Sequence, residues 1–169
     1  VSVSFTVVVP TIGRPSLPAL LGRLGGAEVV VVDDRNRRPG PLDLDGREVK
    51  VVETQGGKGP AATRNHGWRA TASDWVVFLD DDVLPAADWL PALIADLDGC
   101  EPDVAGVQGR VDVPLPADRP PTDRERNVAG LAGARWITAD MAYRRSVLEE
   151  LGGFDEGFRR AYREDSDLA

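Results

Sequence analysis

The apolar and polar positions of this chain fall into short blocks. Val3 to Val9 is rich in β-branched residues and stops at Pro10, the pattern of a buried strand. Pro15 to Leu24 predicts a helix, with Ser16 and Pro18 at its start and Gly25-Gly26 at its end. Val29 to Val32 is a second apolar strand, closed by Asp33-Asp34, and Arg35 to Gly46 is loop-like. Glu48 to Glu53 reads as a third strand. The Gly-rich stretch Gln55 to Pro60 then leads into a helix from Ala61 to about Ala72. Asp74 to Leu79 is a fourth strand, ending in Asp80-Asp81-Asp82, and Pro85 to Leu97 predicts a helix.

The second half is less regular. Val104 to Val113 predicts one or two strands interrupted by Gly109. The proline-rich, charged stretch Pro114 to Asn127 predicts a mobile loop. Arg135 to Tyr143 predicts a strand, and Arg145 to Leu151 a helix capped by Gly152-Gly153. Phe154 to Arg163 predicts a loop, and Glu164 the start of another helix. Strands alternating with helices indicate an α/β fold, a mostly parallel sheet covered on both faces. Such sheets bind ligands beyond the carboxyl ends of their strands. Pro10-Thr11, Asp33-Asp34 and Asp80 to Asp82 all follow strands, so the pattern sends them to one rim.

Composition narrows the classes. The chain has 169 residues, 42% hydrophobic and 28% charged, which suits one domain. Its formal net charge of −8 argues against a nucleic-acid surface. No apolar run approaches the roughly 18–20 residues of a membrane span, so no transmembrane segment is expected. The apolar start lacks a basic leader and reads as a strand, not a signal peptide. The single cysteine, Cys100, excludes an intramolecular disulfide and fits a reducing cytoplasm.

Clustered carboxylates repel one another, and a fold that gathers them usually supplies a cation. Along the extended strand end after Leu79, alternate residues share a face, so Asp80 and Asp82 can converge while Asp81 points elsewhere. Two hard carboxylates there suit Mg²⁺ or Mn²⁺. The competing reading is a solvated turn in which Asp81 or Asp82 caps the next helix. Asp33 and Asp34 can accept from a pyrimidine N3–H or a ribose hydroxyl, or serve as ordinary loop acids. Gly56 to Asn65 is a glycine-rich turn opening a helix, where Lys58 and Arg64 can face phosphates. An acid in Arg163-Glu164-Asp165 could take a proton from an acceptor hydroxyl, though such runs are common at exposed helix starts. His66 reads as a non-catalytic helix residue. Trp136 stands apart from Trp68, Trp75 and Trp89, which read as core.

Taken in order, five stretches resemble family-2 glycosyltransferases of the GT-A fold. They are Val7-Val8-Val9-Pro10-Thr11 with Arg14-Pro15; Val29 to Asp34; Gly59 to Gly67; Val76 to Asp82 with Pro85 and Trp89-Leu90; and Thr138 to Phe154 with Glu164-Asp165. The resemblance implies a nucleotide-sugar-dependent enzyme working by single displacement with inversion. It implies that Thr11 and Asp34, with Asp33, hold the nucleobase, and that Arg64 holds the base or diphosphate. Pro10, Arg14 and Lys58 join the donor site. Asp81 would touch the ribose or donor sugar. Asp82 would be the principal Mn²⁺ or Mg²⁺ ligand, with Asp80 beside it. Asp165 would be the general base, next to Glu164. Asp140-Met141, where the family often has Asn-Met, and Trp136 would line the acceptor side.

These readings give one GT-A domain over 1–169, divided into a nucleotide-sugar half (1–97) and an acceptor half (98–169) expected to be truncated at its C-terminus. The implied donor carries UDP or dTDP. The acceptor is a carbohydrate, lipid-linked or small-molecule hydroxyl. The implied location is the cytoplasm, with the inner membrane face as an alternative, and the oligomeric state is open. Arg35-Asn36-Arg37 departs from the family's usual Gly-Ser after the aspartate pair, which puts the base contacts in question. Two other functions remain: a non-catalytic nucleotide-sugar-binding domain, and a haloacid-dehalogenase-like phosphohydrolase. The second needs its aspartate loop after the first strand rather than the fourth.

Overall fold

The computed structural model describes residues 3–37, 40–158 and 164–168. Six strands form one sheet: β1 (Phe5–Thr11), β2 (Val29–Asp33), β3 (Lys50–Glu53), β4 (Trp75–Leu79), β5 (Gly106–Gln108) and β6 (Asp140–Arg144). Their spatial order is β3-β2-β1-β4-β6-β5. β1 pairs in parallel with both β2 and β4, and β2 with β3. β6 runs antiparallel to β4, and β5 antiparallel to β6. The fold is α/β with a mostly parallel sheet.

The helices are α1 (Leu17–Arg23), α2 (Pro60–Arg69), α3 (Trp89–Asp98), α4 (Asp123–Ala129), α5 (Arg145–Leu151) and α6 (Glu164–Leu168), with a 3-10 turn at Gly130–Gly133. Successive strand residues feed opposite faces. Val7 and Val9 pack with Leu17, Leu20 and Leu21 of α1 and with Leu93 and Leu97 of α3. Val8, Val30 and Phe78 pack with Ala61 and Trp68 of α2 and Leu148 of α5. Covering both faces is why β2 and β4 are apolar at nearly every position and buried throughout.

Beyond shifts of up to three residues at other element ends, four stretches differ from the sequence reading. The stretch expected to be a mobile loop contains α4. Its start is a capping box, with Thr122 Oγ1 accepting from Glu125 N and the Glu125 side chain accepting from Thr122 N. The expected helix at Pro85 begins only at Trp89, after a turn in which Trp89 N donates to Ala86 O at 3.1 Å. The strand expected from Arg135 begins at Asp140, because the Gln108 carboxamide takes up the backbone of Trp136 and Ile137 instead. Of Val104 to Val113, only Gly106–Gln108 joins the sheet.

Gly67 lets α2 lie close on the strands. A Cβ there would stand 2.2 Å from Val8 Cγ1 and 2.9 Å from Val32 Cγ2. This seats the helix that carries Arg64 against β1 and β2. Gly67→Ala should therefore destabilise the fold by about 2 kcal/mol through overpacking. Urea unfolding measures it, and an unchanged midpoint would contradict the close packing.

Candidate active site

Parallel pairing aligns the carboxyl ends of β1, β2 and β4. Thr11 stands in register with Asp33, and Leu79 ends β4 beside them. Beyond these ends lies a cavity of about 280 Å³. Its walls are Pro10, Thr11, Ile12 and Arg14 from the β1 end, Asp34 from the β2 end, Gly59, Pro60, Thr63 and Arg64 from the start of α2, and Asp80 to Asp82. Pro10, Thr11, Arg14, Asp34, Arg64 and the three aspartates thus meet as the sequence reading requires.

The aspartates are arranged differently from the expectation. The chain does not stay extended after Leu79: Val83 N donates to Asp80 O at 3.1 Å, closing a turn. Strand alternation stops, so Asp81 does not point away from its neighbours. It is buried, with Oδ2 accepting from Thr11 Oγ1 at 2.6 Å and Oδ1 lying 3.0 Å from Arg14 Nε. Burial pushes the Asp81 carboxyl up from its ordinary value. The Thr11 hydrogen bond and the Arg14 charge oppose this, while Asp82 and Asp80 add to it. Asp80 Oδ1 accepts from Arg64 Nη2 at 2.7 Å. The Asp82 side chain is 54% exposed, and its Oδ2 lies 3.4 Å from Arg14 Nη1.

This donor set can hold a divalent cation only with most of the ion's ligands supplied from outside the chain. Among the described residues no three acids, histidines or cysteines converge as a preformed cage. Asp82 offers an accessible hard carboxylate, with Asp80 two residues away. Mg²⁺-like ions typically take one or two carboxylates and fill the rest of their shell from phosphates and water.

Asp34 organises the glycine-rich turn. Its Oδ1 accepts from Lys58 N at 3.0 Å and from Thr54 Oγ1, and its Oδ2 accepts from Gly59 N at 3.1 Å. A carboxylate has about four acceptor positions, so little capacity is left for a ligand. Lys58 contributes its backbone N–H here, and its side chain is not part of the cavity wall. Asp33 is a second correction. It is 1% exposed, and Arg35 grips it with Nε at 3.0 Å from Oδ1 and Nη2 at 2.8 Å from Oδ2. Asp33 positions Arg35, which lines an adjoining open hollow with Ile12, Gly13, Asp34, Asn36, Arg37 and Gly57.

Ile12, Gly59, Pro60 and Thr63 line the cavity although the sequence reading gave them no role in the site. Thr63 stands one residue before Arg64. Asn65, the next residue, joins α2 to the segment after α5. Its Nδ2 donates to Phe154 O at 2.8 Å and to Glu156 Oε1 at 2.9 Å. Its Oδ1 accepts from Phe154 N and Trp68 Nε1, each at 2.9 Å. The signal was a polar residue on the buried side of a helix, next to an arginine.

The expected catalytic and acceptor residues are not gathered in the cavity. Asp165 lies on α6, which packs against α2, and it is not among the lining residues. Its charge is felt by Tyr143, in register with Val76 and three residues along β6 from the rim. Burial, with Asp165 second, pushes the Tyr143 phenol up to about 12. The segment 159–163 leading to α6 and the side chain of Glu164 lie outside the described residues. Met141 is 1% exposed and packed in the α2-side core beside Phe78, because both its neighbouring strands are paired. It is a core residue, not an acceptor contact. Trp136 is 43% exposed with φ +62°, held by Gln108 and outside the cavity wall.

The profile of glycosyl transferase family 2 matches residues 6–167. The chain belongs to this family. A pre-mycofactocin glycosyltransferase of Mycobacterium tuberculosis is 33% identical over 180 residues, covering 96% of this chain and 37% of that protein. The chain therefore spans little more than a third of the length of that curated relative. A mannosyltransferase from Pyrobaculum calidifontis, solved in complex with GDP-Man and Mn²⁺, is similar with a TM-score of 0.66 and 25% identity. That match covers 98% of this chain and 51% of the other. Residues 1–349 of TarS from S. aureus, solved with UDP, give a TM-score of 0.65 at 20% identity over 97% of this chain and 53% of theirs, a likeness of fold. The sheet is that of a GT-A glycosyltransferase.

Asp140 is a departure within this family-2 chain. It points to the α3 side of the sheet, where Trp89 Nε1 donates to its Oδ2 at 3.1 Å. It is not in the cavity wall. Burial raises its carboxyl to about 6; the Trp89 bond opposes the rise and Asp96 adds to it. The folded state therefore holds this proton more tightly than the unfolded chain. The stability so contributed is complete below about pH 4 and is lost as pH climbs to about 6. Asp140→Asn keeps an acceptor for the indole and removes the buried charge. It should match the parent in urea at pH 4 and exceed it by about 1–3 kcal/mol at pH 8. A difference that does not vary with pH would show that Asp140 is not the titrating group.

Proposed function

We propose that this chain forms the donor-binding core of a nucleotide-sugar-dependent glycosyltransferase, one that moves a hexose to an acceptor hydroxyl with inversion. The observation that supports it best is the rim cavity, where three consecutive aspartates meet two arginines beside a glycine-rich helix start. Acids for a cation and arginines for phosphates, in one cavity, suit a nucleoside diphosphate.

In this reading Asp82, with Asp80 beside it, holds Mn²⁺ or Mg²⁺. Bound there, the ion would offset the charge that develops on the departing diphosphate. Arg14 and Arg64 face the phosphate oxygens. Thr11 and the remaining acceptor position of Asp34 face the base, with UDP or dTDP favoured because a carboxylate can accept from a pyrimidine N3–H. Asp81 is turned by Thr11 towards the ribose or donor sugar. The acceptor oxygen bonds to the anomeric carbon as that carbon's bond to the phosphate oxygen breaks, and the acceptor proton passes to Asp165. The role of Asp165 rests on the family pattern of its sequence. The acceptor, a carbohydrate, lipid-linked or small-molecule hydroxyl, approaches past Trp136 and the β6 end. The division into a donor half (1–97) and an acceptor half (98–169) follows from these roles. The single cysteine fits a cytoplasmic location, with the inner face of the membrane as the alternative; among the described residues, no helix is long and apolar enough to cross a membrane.

The position of Asp165 outside the cavity wall favours a second reading, a chain that binds the donor without transferring its sugar. Manganese-dependent donor hydrolysis, lost in Asp165→Asn, supports the enzyme. Donor binding with no turnover in either form supports the binding module.

Thermal melting tests the donor site itself. With Mn²⁺, saturating UDP should raise the melting temperature by about 5–10 °C. Without Mn²⁺ the shift should be small, and Asp82→Ala should abolish it. A full shift without metal, or none with any nucleoside diphosphate, overturns the proposal.

A further inference from the structure

The two arginines of the cavity differ in a way that bears on how a cation could enter. Arg64 rises from α2 with its side chain 4% exposed, its guanidinium on Asp80 and also 5.8 Å from the centre of the Phe154 ring. It is a built-in part of the wall. Arg14 comes from the loop after β1, with its side chain 50% exposed. That loop is anchored just before it, where Gly13 N donates to Thr11 Oγ1 at 2.9 Å. One guanidinium bridges both remaining acids, Nε to Asp81 at 3.0 Å and Nη1 to Asp82 at 3.4 Å. The Asp82 contact is the longer and the more exposed of the two.

We propose that Arg14 is the intramolecular counter-ion of Asp81 and Asp82, and that it makes divalent-cation binding conditional on the nucleoside diphosphate. The inference rests on the donor-site reading above and concerns its order of assembly. A divalent ion on Asp82 would sit about 2.1 Å from a carboxylate oxygen, within a few ångströms of Arg14. Each unit-charge repulsion at about 4 Å is worth roughly fivefold in affinity even at the dielectric of water. The cation alone is therefore opposed. A diphosphate changes the balance, because it brings negative charge to the ion and offers Arg14 paired oxygens of its own. Arg14 then turns from Asp82 to the phosphates by side-chain rotation, which its half-exposed position allows. Linkage makes the effect mutual: the nucleotide tightens the cation by the factor that the cation tightens the nucleotide.

The experiment measures Mn²⁺ and UDP bound to the protein by equilibrium dialysis, each with and without the other, with free UDP equal on both sides so that Mn²⁺ complexed by UDP in solution cancels. It compares the parent chain, Arg14→Gln and Arg14→Lys, with Asp82→Ala as a control. In the parent, Mn²⁺ alone should bind weakly and UDP should tighten it by about tenfold or more. Arg14→Gln should bind Mn²⁺ alone at least about fivefold tighter, and the enhancement by UDP should shrink accordingly. Arg14→Lys keeps the charge and should keep the weak binding of Mn²⁺ alone. A parent chain coupled to UDP, with Arg14→Gln binding Mn²⁺ no tighter, overturns the role of Arg14 and leaves the donor site standing. A parent chain that binds no nucleoside diphosphate with or without Mn²⁺ overturns both.

Discussion

Gathering carboxylates at one edge of a sheet is unfavourable unless each acquires a cation or a hydrogen-bond donor, and this requirement shapes the rim of the molecule. Asp80 is met by Arg64, Asp81 by Thr11 and Arg14, Asp82 by the far end of Arg14, Asp34 by three donors of the glycine-rich turn and its flank, and Asp33 by Arg35. The partners come from four separate stretches of chain. Only parallel pairing of β1 with both β2 and β4 brings those stretches within hydrogen-bond reach. The fold and the charge arrangement are thus one constraint seen twice.

The same rim is stiff in some places and loose in others. Asp34 and Asn65 are buried polar side chains with several partners each, and such groups hold a loop in one conformation because leaving any partner unpaired is costly. Asp34 sets the turn before α2; Asn65 sets the chain after α5. Arg14 and Asp82 are half exposed and paired at longer range, so they can exchange partners at little cost. The cavity therefore has a buried, multiply hydrogen-bonded back wall and a half-exposed ionic front.

Much of this was legible in the chain itself. Continuous apolar blocks ending in Pro10-Thr11, Asp33-Asp34 and Asp80 to Asp82 specify a parallel sheet with its polar ends on one rim, since a strand buried on both faces has no other pattern. The five family stretches identify the fold. The α4 capping box was written as Thr122-Asp123-Arg124-Glu125 and was obscured by the surrounding prolines. Period-two alternation misled at Asp81 because it holds only while the chain remains extended, and the turn at Asp80 to Val83 ends that.

Local order and the meeting of the strand ends were determined by the sequence alone, because hydrophobic periodicity and turn residues act over a few positions and parallel strands must end together. Which acid faces which arginine was decided by tertiary structure. So were the burial of Met141 between paired strands and the packing of Asp165's helix against α2. Each of these depends on a partner tens of residues distant, and the direction of a side chain towards such a partner has no signature in its own neighbours.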